Sequence, residues 1–226
     1  MAPWSRKELE ALAERVLAEY SSLPSASAER VDPWVLAREL LGLRVFYRRL
    51  SGDGEVLGLT SVRPLWVRIW DRPGAWERLD GRTVLLDESL APPWGCAGRR
   101  SFTLAHELAH QLLGRAGEGG GTAPLCCRRS PEGWEEWRAD VLASALLLPE
   151  ALLRRRLRES GLALPIRALD PYLDPGSWRK CTALAEALGV SRQALALRLR
   201  RLGLLLRDYR PGPGFPLDIT MEEEEA

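Results

Sequence analysis

The sequence predicts an α+β protein: a small antiparallel sheet packed with helices, one of them carrying an HExxH motif, followed by a helical, helix-turn-helix-like segment. Three observations carry this reading. His106-Glu107-Leu108-Ala109-His110 places both histidines of the chain at helical spacing. Upstream lie short runs of alternating apolar and polar residues bounded by turn residues, the pattern of half-buried antiparallel strands. Downstream, residues 181–195 read as a short apolar helix, a Gly-Val-Ser turn and the start of a second helix.

Taken in chain order, residues 5–20 form an amphipathic helix, with Leu9, Leu12, Val16 and Leu17 spaced for one face. Asp32-Pro33 starts a second helix over 33–41, which Gly42 ends. Strands follow at 44–50, 56–61, 65–70 and 83–87. Gly52-Asp53-Gly54 is a candidate hairpin turn, and 71–81 reads as a loop.

The HExxH helix comes next. Ser101 can cap its start, Phe102, Leu104, Ala105, Leu108, Ala109, Leu112 and Leu113 supply apolar positions, and Gly114 is a stop signal. Residues four apart share a helix face, so His106 and His110 can aim both imidazoles at one ion. Glu107 stands beside them, where it can accept a proton from a water that the ion has acidified. The glycine-rich stretch 114–131 reads as a mobile loop, either a substrate gate or a plain connection.

A catalytic zinc takes three protein ligands and keeps one position open. No third histidine exists in the chain, so a carboxylate or thiolate must complete the set. Glu136 and Asp140 are four apart on the next helix, which runs through Val141, Leu142, Ala145, Leu146 and Leu147 to Pro149. Glu136 is assigned as third ligand. Asp140 is assigned as acceptor for the spare ring N–H of a ligating histidine, a bond that fixes the tautomer and raises basicity. Glu132, Glu135 and Glu118 remain alternatives. The expected cofactor is one divalent metal, zinc first and manganese second.

After Pro149, residues 152–158 form a basic helix with four arginines, read as a solvated face. Residues 160–177, with prolines and glycines, read as a linker. In the following helix pair Ser191 can cap the second helix, which runs through Leu202. Arg192, Gln193, Arg198, Arg200 and Arg201 are expected on its exposed side, as possible nucleic-acid or partner contacts. From Arg179 to Arg207 there are seven basic residues against one acidic residue, Glu186, a balance that suits such a contact. The expected organisation is a metallopeptidase domain over 1–158, a linker and helix-turn-helix-like segment over 159–210, and a disordered acidic tail over 211–226.

Two stretches resemble a known family. Residues 101–114, SFTLAHELAHQLLG, are similar to the HExxH signature of the ImmA/IrrE metallopeptidases, and residues 136–149, EWRADVLASALLLP, resemble that family's second signature. The wider class implied is the gluzincins, with HExxH on one helix and ExxxD on the next. The resemblance implies that His106, His110 and Glu136 bind the metal, that Glu107 is the catalytic base, and that Asp140 orients a histidine. Ala109, Arg138 and Leu142 depart from the family pattern without removing a ligand. The resemblance further implies an intracellular regulatory enzyme that cleaves a helix-turn-helix repressor to induce a stress or mobile-element response. The alternative is a DNA-binding regulator whose peptidase fold is inactive; the complete ligand set and Glu107 count against it.

Composition agrees. At 226 residues, with 32 basic and 31 acidic side chains, the chain suits a soluble domain of ordinary size. The N-terminal residues Trp4, Arg6, Lys7, Glu8 and Glu10 do not read as a signal peptide, and no apolar run reaches a membrane span, so a cytoplasmic location is expected. Cys96, Cys126, Cys127 and Cys181 form no CxxC pair and are expected as free thiols, with Cys126 or Cys127 a remote candidate to plug the open metal position. The donor to the oxyanion is left among Tyr47, Tyr172 and an arginine.

Overall fold

A computed structural model describes residues 4–71, 73–93, 95–116 and 133–206. The described residues fall into two units: those up to 149 together with 188–190, and residues 150–187 together with 191–206.

The first unit opens on α1 (Arg6–Tyr20), fixed by a reciprocal capping box in which the Ser5 hydroxyl accepts the Glu8 N–H and the Glu8 carboxylate accepts the Ser5 N–H at 2.7 Å. Leu9, Leu12, Ala13, Val16 and Tyr20 form its buried stripe. The Asp32 side chain caps α2 (Pro33–Val35), which continues as a π-helical turn, Leu36–Leu40, and ends at Gly42 with φ +62°.

Among the described residues five strands follow: β1 (Arg44–Arg48), β2 (Gly58–Thr60), β3 (Pro64–Arg68), β4 (Trp76–Asp80) and β5 (Thr83–Asp87). They form two sheets, β1-β5-β2 and the ribbon β3-β4. β5 has all five residues buried, so the most apolar strand takes the centre. β2 and β5 are antiparallel, as are β3 and β4, but β1 runs parallel to β5, which makes the three-stranded sheet mixed. Since β5 separates β1 from β2, Gly52-Asp53-Gly54 belongs to a crossover between the two edges and not to a hairpin. The stretch expected as a loop over 71–81 contains β4, whose exposed Trp76, Arg78 and Asp80 mask the strand pattern while Leu79 is fully buried. Leu79 packs with Leu50, Leu59, Ile69 and Leu85, and Val67 packs against the same cluster, fastening the inner face of the ribbon to the sheet.

α3 (Ala97–Ala116) starts earlier and ends later than its sequence signals suggest. Ser101 lies inside it and caps nothing. Gly114 is not a stop but a close approach: a Cβ there would meet Val62 Cγ1 at 2.8 Å. α4 (Trp134–Leu147) packs on α3 and on α1, and α3 also covers β2.

The second unit holds α5 (Glu150–Glu159), α6 (Pro175–Leu188) and α7 (Arg192–Arg201). Arg154 pairs with Glu150, and Arg155 and Arg156 with Glu159, along α5; only Arg158 of its four arginines is exposed and the other three are half-buried, so the face is less solvated than expected. The expected linker is shorter than 160–177, because Asp174 accepts the Ser177 N–H at 2.9 Å and starts α6 at Pro175. Ser191 caps α7 through the Ala194 N–H at 3.1 Å. Past α7 the chain returns to bridge Leu205 with Ile166. No helix of the described residues is long and apolar enough to cross a membrane. The greater part of the loop expected over 114–131, Glu118, Glu132, Cys126, Cys127 and the acidic tail lie outside the described residues.

Candidate metal centre

The helical spacing of α3 puts His106 and His110 on one face, and α4 packs against α3 so that Glu136 meets them. His106 Nε2 lies 3.0 Å from His110 Nε2 and 3.0 Å from Glu136 Oε2, while His110 Nε2 is 3.6 Å from Glu136 Oε1. One ligand atom from each of the three residues falls within 4.8 Å of the others. Donor atoms bound to one zinc at roughly 2.0–2.2 Å in tetrahedral geometry stand about 3.3–3.6 Å apart. Two of the observed separations, 3.0 Å, fall short of that range by a few tenths of an ångström and the third, 3.6 Å, lies at its upper end, so the donor set fits a divalent ion by chemistry and, with a small outward shift, by spacing. Three side chains leave the fourth tetrahedral position for water or substrate.

One turn along α4 from Glu136, Asp140 Oδ1 lies 2.9 Å from His106 Nδ1. With an ion bound, the carboxylate would accept the Nδ1 proton and leave the Nε2 lone pair for the metal. Burial pushes the Glu136 carboxyl up, but hydrogen bonds from His106 and His110, and their charge, outweigh it and hold the pKa at about 2. Glu136 is therefore ionised, the state a metal ligand needs. Glu135, the described competitor, is exposed and outside the trio.

Glu107 is fully buried at 0 % exposure on the same turn of α3 as His106. Its room comes from Gly58, the first residue of edge strand β2. A Cβ on Gly58 would stand 2.8 Å from both Glu107 Cγ and Glu107 Cδ. Gly58 is thus part of the site, and the reading of residues 56–61 as a plain strand passes over it. The available signal is a lone glycine inside a strand pattern, which marks a close approach. Gln111 is also buried; its amide donates to Thr60 Oγ1 at 2.7 Å and to the Ser61 carbonyl at 2.8 Å. Both residues tie the motif helix to β2, the sheet edge that can take up an extended chain.

The other expected residues are scattered. Tyr47 sits on β1, separated from β2 by β5, with its ring tilted against Trp34 and its phenol pushed up by burial. Tyr172 is exposed in the second unit. On α7, Gln193 and Arg200 are exposed, and Arg192 lies over the Trp178 ring at 3.9 Å. Arg198 is a correction: it is 1 % exposed, not on the open side, because it falls on the same stripe as buried Leu195 and Leu199. Of the cysteines, Cys96 is exposed and Cys181 buried, and neither is in a disulfide.

A fold that packs the HExxH helix on a small sheet and the next helix on that one, with the two histidines and a glutamate converging, defines a zincin-like peptidase class. The family described as the IrrE N-terminal-like domain, a peptidase family, matches residues 39–200, and the chain belongs to it. No curated protein matches the chain.

Proposed function

We propose that the chain is a zinc-dependent endopeptidase with a regulatory role, cleaving a helix-turn-helix transcriptional repressor. The convergence of His106, His110 and Glu136, with Asp140 behind His106, carries the metal part of this reading. Two imidazoles and one carboxylate favour zinc over manganese, which prefers oxygen-rich octahedral sets. When bound, the ion supplies Lewis acidity, lowering the pKa of a water and polarising a carbonyl.

The chain's own residues do the rest. Glu107, seated in the room that Gly58 leaves, accepts the proton of the attacking water on its carboxylate and passes it to the leaving amine. Asp140 retains the His106 Nδ1 proton and so keeps the ring in one tautomer. β2 offers main-chain groups to an extended substrate and presents its scissile bond to α3. A stress or mobile-element response is the expected consequence of cleaving a repressor.

The test is Glu107→Gln. It should keep stoichiometric metal and lose peptide-bond cleavage, because an amide cannot take the proton. Near wild-type cleavage by this variant removes Glu107 from the mechanism. The second reading, a DNA-binding regulator with an inactive peptidase fold, rests on exposed Gln193 and Arg200 of α7; it gains if the wild type binds metal and duplex DNA yet cleaves no protein.

A further inference from the structure

The outer face of the β3-β4 ribbon carries an unusual set of side chains. Alternate residues Trp66, Arg68 and Trp70 follow one another along β3 and just past its end, and Trp76 and Arg78 stand on β4. The register sets Trp66 opposite Arg78 and Arg68 opposite Trp76, so every tryptophan on the paired rungs faces a guanidinium. Trp66, Trp70 and Trp76 are 62 %, 48 % and 59 % exposed. The ribbon's inner face is already fastened to the core through Leu79 and Val67, so folding does not require this outer arrangement. Arg68 lies over the Trp70 ring at 5.2 Å, and neither Arg68 nor Arg78 forms an ion pair among the described residues. Asp80, the carboxylate on that face, is taken up by Arg44 and Thr83.

Exposed tryptophan beside unpaired arginine is the composition of a protein-binding hot spot. Two guanidiniums on a chain with 32 basic and 31 acidic residues are too small an electrostatic footprint for a nucleic acid, whose binding depends on many phosphate contacts. The position is also informative. Thr60 of β2 and Pro64 of β3 are four residues apart, a reach of at most ~14 Å, so the ribbon continues from the edge strand beside Glu107.

We propose that this face docks an extended acidic segment of the protein substrate, in which carboxylates alternate with apolar side chains on one strand face. Carboxylates meet Arg68 and Arg78, and the apolar side chains lie on Trp66, Trp70 and Trp76. The inference rests on the peptidase reading and gives that site its substrate class.

The experiment measures fluorescence anisotropy of labelled Phe-Ser-Glu-Ser repeats on the full-length Glu107→Gln protein. Phe-Ser-Lys-Ser repeats and an oligodeoxythymidine run in parallel. The acidic peptide should bind in preference to the basic one. Trp66→Ala and Trp76→Ala should each weaken it at least about tenfold. Arg68→Glu with Arg78→Glu should reverse the preference toward the basic peptide. The proposal is overturned if the wild-type face does not distinguish the peptides, if the charge reversal leaves the preference unchanged, or if the oligonucleotide binds more tightly with a steep salt dependence. Hydrolysis of a peptide too short to span β2 and the ribbon, followed with Glu107 intact, separates the two ideas. Lost docking with retained hydrolysis in Trp66→Ala supports the docking face. Docking without hydrolysis by the wild type overturns the peptidase reading and leaves the docking face standing.

Discussion

Gly58 shows how a single missing methyl group can matter to chemistry. A Cβ at that position would press on Glu107 Cγ and Cδ at 2.8 Å, and Glu107 is buried with little room to retreat. Misplacing a reacting group by about 1 Å can cost ~100-fold in rate. Gly58→Ala should therefore lower kcat by about 10–100-fold while metal content stays stoichiometric; an unchanged kcat would mean that Glu107 has slack the geometry does not suggest. The ligands should behave differently. His106→Ala, His110→Ala and Glu136→Ala should each lose metal on dialysis, whereas Asp140→Ala should weaken affinity by about 10–100-fold. Glu136 also gives a sign in pH. Its folded pKa, about 2, lies below the ordinary 4.5, so in metal-free protein its charge stabilises the fold above the ordinary value. That contribution is lost as pH falls through the interval toward 2. Melting curves of metal-free wild type and Glu136→Gln should thus converge as the pH is lowered from 4.5 toward 2, and a gap that widens on acidification would contradict the assignment.

At the scale of elements, the end of α3 offers a test in which two known effects compete. Alanine is the better helix former by roughly 0.8–1.0 kcal/mol, but a Cβ on Gly114 meets Val62 Cγ1 at 2.8 Å, and overpacking costs about 1–3 kcal/mol. Gly114→Ala should be destabilising in the wild type and stabilising, by up to about 1 kcal/mol, in a Val62→Ala background. Chemical denaturation of the four proteins reads this directly, and the same sign in both backgrounds would place the contact elsewhere. The contact also explains why Gly114 reads as a stop signal where none operates: a sequence shows that a glycine is present but not which neighbour requires it. Legibility elsewhere follows the same logic. α1 declares itself through an apolar stripe and a capping box, and α4 and the motif helix through apolar runs that are local in the chain. The candidate ligands are legible only in part: helical spacing brings His106 to His110, whereas the meeting of Glu136 with them depends on the packing of α4 on α3. The parallel pairing of β1 with β5 is not legible, since no local pattern records which strand lies between two others. β4 escapes because three of its five residues face solvent with polar or aromatic side chains. Arg198 is misplaced for a related reason: its charge suggests the open side, although its spacing from Leu195 and Leu199 puts it on the buried stripe.

At the scale of the molecule, the question is what the second unit contributes to substrate choice. Residues 188–190 belong with the first unit, so truncation at Arg158 would remove part of it, including buried Leu188 and Val190. Surface substitutions test the second unit more cleanly. Gln193 and Arg200 are exposed on α7, while Ser191 caps that helix and the Leu195–Leu199 stripe holds it, so changing the two exposed residues should leave the fold intact. The physical expectation is that a partner-binding segment raises the local concentration of one protein at an active site that lacks a third histidine to stabilise the oxyanion. We expect the full chain to cut one repressor at one or a few bonds and to leave casein nearly untouched. Gln193→Ala with Arg200→Glu should raise KM for that repressor by roughly tenfold or more, with little change in metal content or in hydrolysis of a short peptide. Rapid, indiscriminate casein digestion by the unaltered protein would contradict the regulatory reading. An unchanged KM in the double variant would leave α7 without a role in recognition and shift substrate choice to β2 and the tryptophan–arginine ribbon.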